Sequence, residues 1–200
     1  MECIFKARDQ IDCIWREIEK CNIDNPSEKI NFISTMLYVA FNHCDGIQTL
    51  AQKRNFASAF ALVRPLLESS FRAIWLHRCA TESQIKKCLE TDKWKSALGL
   101  AKEIESEMEF TPILSEVWSE LRPSLHSYTH GGVHIAVKHI NDENIISPNI
   151  EDQEVLQLMQ IVGLISLYIL AEFIDLSKNI EQFQIYEKVG NDFVNWAFNK

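Results

Sequence analysis

Apolar residues return every three or four positions along most of this chain, and the stripes they draw predict helices separated by short polar turns. Ile4, Ala7, Ile11, Ile14, Trp15 and Ile18 share one face of a helix over residues 2–20. The turn N-I-D-N-P-S-E reads as a start signal, with Asn25 as cap, Pro26 at the first helical position and Glu28 completing a capping box. The helix it opens runs to about Lys53, with Ile33, Leu37, Phe41 and Ile47 inward and Gly46 as a weak point in its middle. Residues 56–80 are apolar on nearly every face, which places that helix at the centre of a bundle. Pro65 should kink it by removing one backbone hydrogen bond. Thr81 caps a shorter helix ending near Lys93; Trp94 to Glu109 form another, and Thr111-Pro112 restart the chain. A long helix over 151–178 and a final amphipathic one over 180–198 complete the series.

No strand-like alternation and no fixed-period repeat interrupts this pattern. The expectation is an all-α, single-domain bundle of six to eight helices. It divides into an N-terminal hairpin (1–54), a core (55–178) and a C-terminal helix (179–200).

Composition narrows the function classes. Apolar residues make up 46% of 200, enough for one sizeable core. The 28 acidic against 20 basic residues, a net charge of −8, argue against bulk attraction to DNA or to an anionic membrane surface. The longest uncharged run, Val155 to Ala171, is shorter than the ~20 residues of a membrane span and has acidic flanks, so it reads as a buried bundle helix. The amino terminus is charged from its second residue and does not read as a signal peptide. Six cysteines without a C-x-x-C pair fit reduced thiols, and together these features predict a cytoplasmic protein.

Two stretches carry candidate chemistry. Arg64, Glu68 and Arg72 recur at i, i+4 and i+8 on one face of the otherwise apolar third helix. Charges there are either paired as a structural ladder or serve an anionic ligand, to which a guanidinium fork is well matched. Leu121 to His134 gathers three of the six histidines with Arg122, Tyr128 and Thr129. His126, His130 and His134 are spaced by four, a row that could hold zinc, but Gly131-Gly132 should end the helix before His134. No carboxylate lies close by, so neither metal nor cofactor is expected. An arginine near a histidine also suits RNA cleavage, the imidazole moving a proton and the guanidinium stabilising the phosphorane. On that ground Arg122 with His126 and His130, and Arg72 with His77, are candidate catalytic pairs. Arg64, Glu68, Tyr128 and Thr129 are candidate ligand-binding residues.

The blocks A-L-V-R-P-L-L-E-S-S-F-R-A-I-W-L-H-R-C-A (61–80), L-H-S-Y-T-H-G-G (125–132) and S-P-N-I-E-D-Q-E (147–154) resemble those of an uncharacterised all-helical bacterial family. More remotely, the chain is similar to the HEPN domains of toxin–antitoxin and phage-defence systems, over about residues 55–175. That resemblance implies a HEPN-like fold, a homodimer, a partner protein in a defence complex, and metal-independent RNase activity on RNA at the dimer interface. It points to Arg64, Glu68, Arg72, Tyr128, Thr129, His130 and Gly132. The nuclease motif, arginine then four to six residues then histidine, is met by Arg72 and His77, though Ala73 stands where a polar residue is usual. Arg122 is separated by three residues from His126 and by seven from His130. The alternative is a non-catalytic helical protein whose Arg/Glu/His cluster binds an anion or a partner chain, or only specifies packing. Large apolar residues near the C-terminus, Phe193 and Trp196, are the expected dimer surface.

Overall fold

The computed structural model describes residues 1–109, 111–140 and 145–198, with His134 by its backbone alone. The described residues form an all-α bundle in which eight helices have ten residues or more. They are α1 (Glu2–Ile18), α2 (Glu28–Gln52), α4 (Val63–Arg78), α5 (Glu82–Thr91), α6 (Ala97–Glu107), α7 (Ile113–His130), α9 (Asp152–Ser177) and α10 (Phe183–Phe198). Two short helices, α3 (Phe56–Ala61) and α8 (Val133–Val137), fill connections. The only bridge of β type among the described residues joins Ile140 to Ile146.

The centre is α2, which packs on α1, α9 and α4. Ile33, Leu37, Ala40, Cys44 and Ile47 lie buried along it, each at 1% exposure or less. Burying an aliphatic side chain of that size contributes roughly 1.5–3 kcal/mol, so this seam anchors the fold. Helix α4 then passes the packing on to α6, and α6 to α7. Helix α9 is long and apolar enough by length and composition to cross a membrane, yet it buries Val155, Met159, Val162, Ile169 and Leu170 inside the bundle. All six cysteines are free thiols.

Local chemistry moves several predicted boundaries. Ser27, not Asn25, caps α2, its hydroxyl accepting from the Ile30 amide, while Asn25 turns the chain at φ 45°. Two residues with a side-chain oxygen able to cap, an amide and a hydroxyl, stand close together, and the turn conformation decides between them. The expected helix over 56–80 is broken at Leu62 into α3 and α4, and Pro65 falls in the first turn of α4. There its missing N–H costs nothing, so the break precedes the proline instead of kinking at it. Helix α6 starts at Ala97, capped by Ser96, which leaves Trp94 on the connection from α5. Thr81 does cap α5, with Gln84 closing the capping box.

The C-terminal helix also differs from expectation. Phe193 is 4% exposed and faces α9, where a Cβ built on Gly163 would come within 2.5 Å of its ring. The Trp196 indole donates to Gln10 Oε1, and Gln10 Nε2 donates to the Gly163 carbonyl and to Ser166. Both aromatics therefore fasten α10 to α1 and α9, Phe193 buried and Trp196 half-buried.

Candidate functional site: an arginine cleft

Helix α4 carries Arg64, Glu68 and Arg72 on one edge, as the spacing requires. The Arg64 Nε donates to Glu68 Oε1 at 2.9 Å, and Glu68 Oε2 lies 3.7 Å from an Arg72 terminal nitrogen. One carboxylate is thus shared between two guanidinium groups. Each arginine side chain is still about a third exposed, 33% and 34%. A guanidinium has five N–H donors, so most of theirs stay available.

Those donors open into a hollow of about 450 Å³ between α4, the α5–α6 connection and α7. Its walls include Asp92, Trp94 and Lys95, and its floor holds the buried Leu100 and Trp118. Arg122 enters from α7 and, among the described residues, makes no ion pair. A second hollow of about 440 Å³ shares Arg64, Trp118 and Arg122 and extends to Leu125 and His126. The two form one trough along which Arg72, Arg64 and Arg122 are set out. Ser96, Ala97 and Leu98 also line it, bringing the positive end of the α6 dipole to the same place.

The trough's outer wall is tied down. Trp94 Nε1 donates to Asp92 Oδ1 at 2.7 Å, and the Arg72 guanidinium lies over the Trp94 ring, 5.1 Å from its centroid. Lys95 bonds both oxygens of Glu103, and Trp75 Nε1 donates to Glu103 as well. Burial pushes the Glu103 carboxyl up, but the Lys95 ammonium and the Trp75 indole outweigh it and hold the group below its ordinary value.

The remaining candidates fall in different places. His126 reaches the trough and is exposed; His130 is exposed one turn on, with its ring 4.6 Å from that of His126. Thr129 spends its hydroxyl on the Leu125 carbonyl. Tyr128 stacks on Phe60 at 4.9 Å on the α3 side of α7, and burial, then the Glu154 charge, raises its pKa. Helix α7 ends as expected: Gly131 takes φ 67°, and a Cβ on Gly132 would fall 2.5 Å from Ser127 Oγ. The His134 side chain lies outside the described residues, and no metal-binding group of three His, Cys, Asp or Glu side chains occurs among those described.

Arg72 and His77 do not meet. His77 bonds Glu172 of α9, and Arg78 Nε donates to both Glu172 oxygens at 3.0 and 3.1 Å. Asp175 completes this cluster 2.9 Å from Arg78. Residues five apart on a helix project to different sides, so α4 sends Arg72 to the trough and His77 to α9. The sequence reading missed this cluster, as it missed Asp92, Trp94 and Lys95. The signal for Glu172 was a lone acid at the end of the long apolar run. For Trp94 it was the Ser96-x-x-Gly99 cap that begins α6 after it.

An all-helical bundle with a cationic trough between three of its helices is the class these features define. The chain belongs to a family of unknown function, DUF6988, which matches residues 37–196. The match reaches beyond 55–175 at both ends and leaves out α1, although α1 packs against α2, α9 and α10. Among curated proteins and among solved structures, nothing matches the chain.

Proposed function

We propose that the protein is a non-catalytic helical binding protein that holds a small anionic ligand in the arginine trough. The observation that carries this reading is the convergence of Arg64, Arg72 and Arg122 on one open trough, with the Glu68 carboxylate shared between two of them. Glu68 holds Arg64 and Arg72 at a fixed separation, so less side-chain freedom is lost when a ligand arrives. Unpaired Arg122 supplies charge that a purely structural ladder has no use for. Isothermal titration with inorganic tripolyphosphate tests it. Binding should weaken as salt is added, and Arg122→Ala or Arg64→Ala should each lower affinity roughly tenfold, the effect of one charge-assisted hydrogen bond. Absence of heat at low salt would sink the reading.

A second reading rests on His126, which lines the trough beside Arg64 and Arg122 with His130 next to it. An imidazole for proton transfer beside guanidinium groups for charge is what metal-independent RNA cleavage needs. On this reading the protein is a dimeric, HEPN-like RNase effector of a bacterial defence or toxin system. Both His126→Ala and Arg122→Ala should then abolish RNA cleavage and growth arrest. Binding alone requires only the arginine.

A further inference from the structure

We infer that the ligand of this trough is a nucleoside polyphosphate, its base at the Trp94–Asp92 end and its phosphates at the Arg64–Arg122 end. The inference rests on the anion-binding reading and adds the identity of the ligand's other half.

The trough is not uniformly cationic. Arg64, Arg122 and His126 line one end, where the neighbouring carboxylate, Glu68, is already bonded to Arg64. The other end presents the indole of Trp94 and the carboxylate of Asp92, beside Arg72, which lies over the indole, and Lys95, which is paired with Glu103. An inorganic polyanion filling the whole trough would lie against that carboxylate and gain nothing from the indole. A ligand with phosphates on one side and a flat, neutral, donor-bearing ring on the other matches both ends.

The Trp94 end is prepared for a flat ring. The indole nitrogen is fixed on Asp92 Oδ1, and the Arg72 guanidinium already forms a layer over the ring. The Lys93 carbonyl, next in the chain, accepts from the Cys88 thiol at 3.4 Å, which holds the strap to α5. A base adds a third layer to an aromatic–guanidinium stack, a mode that tolerates any base. Asp92 Oδ2 has no hydrogen-bond partner among the described residues and can accept from a ring or amino N–H of the base. Each hollow, about 450 and 440 Å³, lies within the range of small-ligand sites, and together they give length for a base, a sugar and several phosphates.

The test compares GTP, ATP and inorganic tripolyphosphate by isothermal titration against the full chain, with Trp94→Ala and Asp92→Asn as variants. The expected result is a nucleoside triphosphate that binds about tenfold or more tighter than tripolyphosphate, the gain that base stacking supplies. Trp94→Ala should erase that difference, bringing the nucleoside triphosphate down to the affinity of tripolyphosphate. Should Trp94→Ala misfold, the exposed Asp92→Asn still decides, because it should weaken the nucleotide without weakening tripolyphosphate. Equal affinity for nucleotides and tripolyphosphate overturns the inference and leaves the anion site standing. Failure of both to bind overturns the anion site and the inference with it.

Discussion

Helix α4 carries a charged cluster at each end, and the two are built to opposite plans. Toward its C-terminus, His77 and Arg78 close on Glu172 and Asp175 of α9, and Glu172 is 1% exposed. There the carboxylate is buried and its oxygens are covered by donors from the neighbouring helix. Toward its N-terminus, Arg64 and Arg72 share Glu68 within the same helix, all three side chains stay a quarter to a third exposed, and Arg122 joins them unpaired. A cluster closed around a buried carboxylate stitches helices together; one with surplus cation beside a hollow has capacity left for a ligand. The rule separating them is what remains unpaired, not how many charges gather.

Glu172→Ala should break the stitching cluster most severely. It removes the buried acceptor shared by Arg78 and His77 and leaves them only the half-exposed Asp175, at a cost of about 3 kcal/mol or roughly 6–12 °C in Tm for a chain of this length. Calorimetry reads the loss, while tripolyphosphate affinity of the folded fraction should not change. Next in size, Gly163→Ala should cost about 1–3 kcal/mol in urea unfolding, because the added methyl meets the Phe193 ring. Arg122→Ala should do the reverse of both: stability within about 0.5 kcal/mol of the parent, and anion affinity sharply reduced. If Arg122→Ala unfolds the protein, the contrast between the two clusters collapses.

The smallest effect is acid titration of the strap. Glu103 sits below its ordinary value of 4.5, so its contribution is present above that value and is lost as pH falls through its lower folded value. Glu103→Gln should flatten that part of the stability profile, followed by chemical unfolding between pH 5 and pH 3 on the order of the carboxylate range.

The legible part of this protein was its periodicity. The stripes of α1, α2 and α9 are dictated by core packing, and helical spacing alone brought Arg64, Glu68 and Arg72 onto one edge. The Gly131-Gly132 stop was equally readable, since φ 67° at Gly131 favours glycine and the approach of Gly132 to Ser127 excludes a side chain. What stayed hidden depends on tertiary placement. Arg72 and His77 satisfy a motif by spacing yet face different neighbours, and no one-dimensional pattern reports which way α4 is rotated. Phe193 and Trp196 looked like an outer surface because their partner surface, Gly163 with Gln10, lies far away in sequence. Trp94 joined the trough because a serine cap, not the apolar stripe, decided where α6 begins.

The central claim is that α4 stitches at one end and binds at the other, and one titration addresses it. Inorganic tripolyphosphate is added at low salt to the parent chain, to Arg122→Ala and to Arg78→Ala. Saturable binding is expected for the parent and for folded Arg78→Ala, and affinity at least tenfold lower for Arg122→Ala. Equal binding to all three, or none to the parent, would contradict the claim.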